Sequence, residues 1–574
     1  MIHSIIILLI VLIIFVILNN LLTSNENFTS STNKIYNYLI IGSGPAGLQT
    51  AYFLKKYNED YIIIEKSNNS GSFFNKFPIH RKLISINKVN TGSDNKEFNL
   101  RHDWNSLLSD DDSLLFKNYS QDYYPNADVM VNYLNDFKNK NDLNVLFNTN
   151  VIKINKINDI FEIQTSKGTF KCKNLIVATG LFKSNKSTKF DDVILYSDLK
   201  SDKEKFKNKN ILIIGQGNSA FETANYLNDV AAFIHVVGKG ALKFAWQTHY
   251  PGHLRAINND FLDTYQLKSQ NGLINFKKNQ DIMISKKNNK YYLFGMESEN
   301  SGENNSLENQ SEKSVDNNSF DLGNINSLIE DLDGQKGYDY VIDCTGFNID
   351  NSIFGNIKPL TNGKVPLLKS NFESKNVSHL YFAGVLSQEI SYKKSSSAFV
   401  HGFRYLIKSM VKINTNNIEK IKINSQSELV NKILDRLNNS SGLYQMFNCL
   451  CDIVIIENNT IYYIEELPIK YVLENYVTKY NKIIIIKLDY GNYGGTIENK
   501  NDLGNSSYVF GVDRAIGSSK EKAHLSDFIH PIFILYINHN ETSTFHLSEN
   551  LLFEFKLKDT HIKPLQNFIK KSLS

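Results

Sequence analysis

The sequence predicts an α/β protein with two nested parallel sheets, one inserted into the other, followed by a mixed α+β extension. Three observations carry this. The phrase "LIIGSGPAGLQTA" at 39–51 returns as "LIIGQGNSAFETA" at 212–224. An acid-ended strand pattern, "YIIIEK" at 61–66, follows the first copy. Small-residue-ended strands, among them "LIVATG" (175–180), "YDYVIDCTGF" (338–347) and "HLYFAGV" (379–385), stand on both sides of the second.

Each copy is an apolar run, then Gly-x-Gly, then helix-forming residues: a buried strand, a tight turn and the start of a helix. These are the parts of a Rossmann-like dinucleotide-binding unit. Gly42 and Gly215 can take the angles of the turn. Gly44 and Gly217 lack a Cβ and let a pyrophosphate approach, and Gly47 and Ala220 keep the helix close to the strand. The free N–H groups and the dipole of the helix N-terminus then face the phosphates. The first site is therefore Gly42, Ser43, Gly44, Pro45, Ala46 and Gly47, and the second Gly215, Gly217, Asn218, Ser219 and Ala220.

Glu65 ends the strand after the first copy, where a carboxylate grips the ribose of an adenine dinucleotide. The matching strand of the second copy, "AAFIHVVGKG" (231–240), ends instead in Lys239, with Lys243 nearby. Positive charge there suits a 2′-phosphate and favours NADPH over NADH; a solvated lysine in a polar loop is the plain alternative.

The first fold then occupies 36–200 and returns at 338–414, and the inserted NAD(P)-binding domain occupies 201–337. Residues 296–327 are dominated by Asn, Ser, Asp and Glu and read as a disordered insertion. An amphipathic helix is expected at 127–140, and another starting at Ser395–Ser397. Lys393 and Lys394 beside that second start could stabilise negative charge on a reduced ring, unless it is an ordinary packed helix. Residues 415–574 form the α+β extension and carry no legible catalytic motif.

With 574 residues there is room for two or three domains and a large core. The charge is nearly balanced, 63 basic against 59 acidic residues, and no basic aromatic groove argues for nucleic acid. The apolar run at residues 5–18 fits a signal-peptide core better than a span of about 20 residues. Residues 1–24 are thus expected to be a signal peptide, or an uncleaved signal anchor that would be the chain's one membrane contact. Sequons at Asn27, Asn118 and Asn540 permit glycosylation in the secretory pathway.

The four cysteines include no Cys-x-x-Cys: Cys172 and Cys344 read as buried thiols, and Cys449 and Cys451 as two free thiols, the alternative being a redox pair with a tiny, strained ring. His249 and His253 flank Pro251-Gly252, which breaks any helix, so no metal is expected there. Asp110–Asp112 reads as a solvated helix entry, and Trp104, Phe73 and Phe74 as packed rings or a stack beside a flavin.

"SFFNKFPIHRKLISINK" (72–88), "EFNLRHDWNSLL" (97–108), "GNSAFETA" (217–224), "LRAINNDFLDTYQLKS" (254–269) and "SGLYQMF" (441–447) go further. These blocks closely resemble the FAD-dependent oxidoreductase domain-containing protein 2 family of endoplasmic-reticulum flavoproteins. The resemblance implies FAD in the first fold, with contacts at Gly42, Ser43, Gly44, Gly47, Glu65, Val151, Thr179, Gly180 and Gly384. It also implies a place in the endoplasmic reticulum lumen, in degradation of misfolded glycoproteins beside lectin, ubiquitin-ligase and thioredoxin-like partners. The chain departs from its relatives in ending "KKSLS" rather than in a retention tail, in the 296–327 insertion, and in Val385, where many disulfide reductases carry an aspartate.

The order of folds suits a flavin that takes hydride from NADPH and passes electrons onward. With no dithiol relay in the chain, the acceptor would be a partner's disulfide. Two alternatives stand. A flavin monooxygenase would show Phe-x-Gly-x-x-x-His, of which "FDDVILY" keeps Phe190 but has Asp192 and Tyr196. A non-catalytic flavoprotein would bind unfolded chains and adaptors through 415–574. No catalytic acid or base is identified from the sequence.

Overall fold

The computed structural model describes residues 34–200, 202–263, 271–297, 337–491, 520–526 and 528–574. The expected leader, the Asn27 sequon and residues 298–327 of the expected insertion lie outside the described residues. Among the described residues no helix is long and apolar enough to cross a membrane.

The first sheet begins with β1 (Ile35–Ile41), continues through α1 (Pro45–Lys56) to β2 (Tyr61–Ile64), and pairs the two strands in parallel. Leu39, Ile40, Ile62 and Ile63 are fully buried: Ile40 and Ile63 pack on the side of α1, and Leu39 and Ile62 pack on the other side against Ile154, Phe161 and Leu368. Helix α2 (Ala127–Lys140) spans the expected residues, capped by Asn126, and leads into β3 (Val145–Leu146) beside β2. The hairpin β4 (Val151–Ile157) and β5 (Ile160–Thr165) feeds the long strand β6 (Gly168–Val177), which runs parallel to β1 on its other edge.

The second sheet takes β7 (Ile194–Leu195), β8 (Asn210–Ile214), β9 (Phe233–Lys239) and β10 (Gly272–Phe276), with helix α3 (Asn218–Leu227) after β8. A hairpin of β11 (Gln280–Lys287) and β12 (Lys290–Glu297) follows. Strand β13 (Tyr340–Asp343) completes the all-parallel order β10-β9-β8-β13-β7. Both expected boundaries of the inserted domain therefore shift outward: β7 lies before residue 201 and β13 after 337. The "YDYVIDCTGF" strand, expected in the returning part of the first fold, belongs to the second sheet. An apolar parallel strand fits either sheet, and only tertiary pairing chooses.

Strand β14 (Leu380–Phe382) returns to the first sheet against β6, and α4 (Val400–Asn414) packs beside α1. Helix α4 begins later than expected. Ser395–Ser397 are buried in the turn before it, where the Ser395 hydroxyl donates to Ser391 Oγ at 2.7 Å and Ser397 to the Ser391 carbonyl at 3.0 Å. Those hydroxyls serve the turn and not a helix cap.

The extension is a six-stranded antiparallel sheet. In chain order it comprises β15 (Ile421–Ile423), α5 (Gln426–Asn439), β16 (Leu450–Glu457), β17 (Thr460–Pro468), β18 (Lys482–Asp489), β19 (His530–Ile537), β20 (Asn540–His546) and α6 (Lys563–Leu573). The strand order is β15-β17-β16-β18-β19-β20. Helices α5 and α6 cover one face through Leu429, Ile433, Leu565 and Ile569. On the other face Ile453, Ile455, Ile464 and Ile485 share one core with α1 and α4. The extension is thus fused to the first fold through a common apolar layer.

A buried charge network crosses that seam. Arg436 binds Asp452 at 2.7 Å and Glu466 at 2.9 Å, and Lys408 of α4 reaches Glu466 at 3.0 Å. Burial opposes ionisation of Glu466, but Lys408 and Arg436 outweigh it and hold the carboxyl well below the usual range. All four cysteines are buried and unbridged.

Candidate functional site

The first turn is built on steric necessity. Gly42 has φ +101°, and a Cβ there would stand 2.9 Å from the Ala178 carbonyl oxygen. A Cβ on Gly47 would meet the Gly42 oxygen at 1.9 Å, so α1 is pressed against β1. Gly44 is the opposite case, since nothing lies within 4 Å of where its Cβ would be. That empty spot is the floor of a cavity.

The cavity measures about 650 Å³. The first fold contributes Gly42, Gly44, Pro45, Ala46, Glu65, Val151, Thr179 and Gly180, all expected from the sequence. Its returning part adds Val385, Phe399 and Phe403, and Phe73 and Phe74 line it too. The inserted domain adds Tyr196, Asn218, Ser219, Glu222 and Phe347. Both glycine-rich helices therefore open on one space.

Ser43 lies behind the wall: its N–H and hydroxyl donate to Glu65 Oε2 at 2.8 and 3.1 Å. The Ser67 N–H donates to Oε1 at 2.9 Å, and the Glu65 side chain is held with its oxygens ordered. Gly384 also sits behind the wall, at φ +71°, where a Cβ would come within 2.5 Å of the Ala46 Cβ. Its role is to let the end of β14 lie against α1. Gly47, Gly215, Gly217 and Ala220 do not line the cavity.

Lys239 ends β9 where expected, but it is exposed and its ammonium pairs with Asp281 at 2.6 Å. Neither Lys393 nor Lys394 lines the cavity; the lysine that does, on that side of the first fold, is Lys364. Burial, then Lys393, lowers the Lys364 pKa. Trp104 lies outside the lining, stacked on His401 at 4.1 Å under the Arg255 guanidinium. Phe190 packs on Tyr291, and Asp192 pairs with Lys286. His253 bonds Thr248 Oγ1 through Nδ1 at 2.6 Å. Asp111 caps a short 3₁₀ turn and Asp110 pairs with Lys56, the solvated helix entry expected of that acidic run.

One segment fixes the two folds relative to each other. Phe77 and Ile79 of the first fold are buried in the core of the inserted domain. The Phe77 ring stacks on Tyr196 at 5.8 Å, the Ile79 N–H donates to the Tyr196 hydroxyl at 3.3 Å, and His80 stacks on Tyr226 at 4.3 Å.

Sequence reasoning missed Glu222, Tyr196, Phe347 and Lys364 as cavity residues. Glu222 was findable. It stands four residues after Asn218 on the same helix, so its carboxyl shares the face of the phosphate-binding turn. Tyr196, Phe347 and Lys364 carry no such signal, because loops distant in sequence bring them in.

The residues present fit FAD. An open cradle at Gly44, an ordered carboxylate at Glu65 and a backbone-rich strand end at Thr179-Gly180 face a long cavity of suitable size. Comparisons with known proteins agree. Residues 39–307 match the pyridine nucleotide-disulphide oxidoreductase family model. The chain is 37% identical to FAD-dependent oxidoreductase domain-containing protein 2 of Mus musculus, over 93% of this chain and 84% of the relative. It is 33% identical to the Danio rerio protein of the same name, over 94% and 83%. The chain belongs to the FAD-dependent oxidoreductase domain-containing protein 2 family. It is an FAD-dependent oxidoreductase of the pyridine nucleotide-disulphide class. Among solved structures, bacillithiol disulfide reductase from Staphylococcus aureus covers 67% of the chain at 18% identity, with a TM-score of 0.45.

Proposed function

We propose that this protein takes hydride from NADPH and passes the electrons to a disulfide carried by a partner protein. We place this work in the endoplasmic reticulum lumen, in the degradation of misfolded glycoproteins beside lectin and thioredoxin-like partners. The observation that carries the redox reading is the shared cavity, which the first glycine-rich turn (Gly42, Gly44) and the start of α3 after the second (Asn218, Ser219) both line.

When bound, FAD supplies two-electron chemistry that side chains lack. The chain's own residues do the rest. Glu65 offers its ordered carboxylate to ribose hydroxyls, and the open backbone at Gly44 admits the phosphates. Asn218 and Ser219 start α3 on the cavity wall, and their helix N-terminus favours the second dinucleotide's phosphates. Phe73, Phe74, Phe399 and Phe403 keep the cavity poor in water.

None of the four buried cysteines can serve as an exposed dithiol, and burial pushes the Cys344, Cys172 and Cys449 thiols up, away from the reactive thiolate. The reducible disulfide therefore comes from outside. The test is anaerobic mixing of the flavin-loaded protein with NADPH. Bleaching of the flavin, reversed by an oxidised thioredoxin-like protein, is the expected result. No bleaching points to a binding protein that carries FAD without turnover. A slowly decaying oxygen adduct in air points to a monooxygenase.

A further inference from the structure

Three carboxyls line the cavity among the described residues, Glu65, Glu222 and Asp350, and Glu222 is the one that stands on α3 of the inserted domain. It lies half-buried on α3, one turn beyond Asn218, and no described ion pair includes it. Its Oε2 accepts a hydrogen bond from the Tyr196 hydroxyl at 3.3 Å, and that hydroxyl in turn accepts from the Ile79 N–H. Behind Tyr196 is a niche of about 10 Å³, close to the size of one water, walled by Ser184, Ser219, Asp343, Cys344 and Phe347. Tyr196, Ser219 and Phe347 face both the niche and the cavity.

The other titratable groups around Glu222 are committed elsewhere. Glu65 accepts from Ser43 and Ser67. Asp343 accepts from Ser187 and Thr345, and Asp350 from the Ser352 N–H. The His80 ring faces Thr223 and Tyr226 on the outer side of α3 and is held neutral by burial. Cys344 is buried beneath the same helix, near the Ser219 carbonyl. Lys66, Lys82 and Lys364 line the cavity as cations but make no described ion pair with Glu222.

We propose that Glu222 is the proton-carrying residue of this cavity, with Tyr196 and the water-sized niche as its relay. The inference rests on the NADPH-to-disulfide reading. There, hydride brings two electrons and one proton, the S–S bond breaks, and two S–H bonds form. The hydride accounts for one proton of the two, and the neutral Glu222 carboxyl gives the other. The resulting carboxylate recovers a proton from solvent through Tyr196. Burial raises the Glu222 pKa to about 7, which keeps the acid form populated at neutral pH.

Two measurements on the full flavin-loaded protein test this. Difference infrared spectroscopy across pH 5–9 should show a protonated-carboxyl band lost with a midpoint near 7, and absent in Glu222→Gln. Turnover with NADPH and an oxidised thioredoxin-like protein should fall about 100-fold in Glu222→Gln at pH 6, and lose its break near 7. Tyr196→Phe should keep the band but slow turnover, while both variants retain the flavin spectrum that reports correct folding. A Glu222 band with a midpoint below 5, or identical pH profiles for wild type and Glu222→Gln, overturns the proposal. If NADPH fails to bleach the flavin at any pH while the band still titrates near 7, the proton site stands and the oxidoreductase reading falls.

Discussion

The two glycine-rich turns share a sequence pattern and differ in how the protein surrounds them. The first is embedded: Ser43, Ala46 and Gly47 are buried, and Glu65 is held at 4% exposure by Ser43 and Ser67. The second is open: Gly217 is exposed, Ala220 replaces the close-packed glycine, and Lys239 sits at the surface bound to Asp281. An embedded, pre-ordered cradle pays little entropy on binding and holds its ligand; an open one lets its ligand come and go. The contrast matches a resident flavin and an exchanging nicotinamide.

Filling each cradle breaks the comparison most sharply. Gly44→Val places a side chain in the open floor, and the protein should purify without the flavin's visible absorbance. Gly217→Val should leave that absorbance intact and abolish bleaching by NADPH, since its Cβ position is equally open. Loss of flavin in both variants would erase the distinction between the two turns.

The segment that joins the turns comes next. Phe77→Ala removes a ring at 4% exposure from the inserted domain's core, and should cost about 3–5 kcal/mol in denaturant unfolding. Bleaching by NADPH should slow more than flavin affinity falls, because the second turn loses its placement against the first.

The residues ending the two second strands give a smaller contrast. Glu65→Gln keeps the shape but loses the charge, and should weaken flavin affinity roughly tenfold by fluorescence titration. Lys239→Ala should change the NADPH-to-NADH preference by less than about tenfold, as its ammonium already faces Asp281. A larger change would assign Lys239 to the 2′-phosphate after all.

The smallest effect concerns stability. Glu222 has a higher pKa folded than unfolded, so its contribution is present below the ordinary carboxylate range and lost as pH rises through about 7. Glu222→Gln should therefore unfold at a higher temperature than wild type at pH 8.5, and not at pH 5. The gain should be about 1 kcal/mol, reduced by the group's partial exposure.

Much of this was legible in local pattern. The strand–turn–helix units, the helix at 127–140 and the acid at Glu65 follow from apolar period and glycine spacing, which act over a few residues. Other features were not. "YDYVIDCTGF" reads equally well as a strand of either sheet, and went to the second because β8 offered it an open edge. Ser395–Ser397 look like a helix start, yet their hydroxyls found partners in the turn around Ser391. Tyr196 looked like a defect in another family's motif and proved to be a cavity wall.

The sequence by itself determined where the two strand–turn–helix units lie and in what order they occur, because those signals are set by backbone sterics within one turn of chain. Only the tertiary structure decided that the first turn and the start of α3 line one cavity, that the extension shares a core with the first fold, and that Glu222 meets Tyr196. Each of these depends on side chains far apart in sequence, brought together by burial of apolar surface that is non-directional and leaves no local signature.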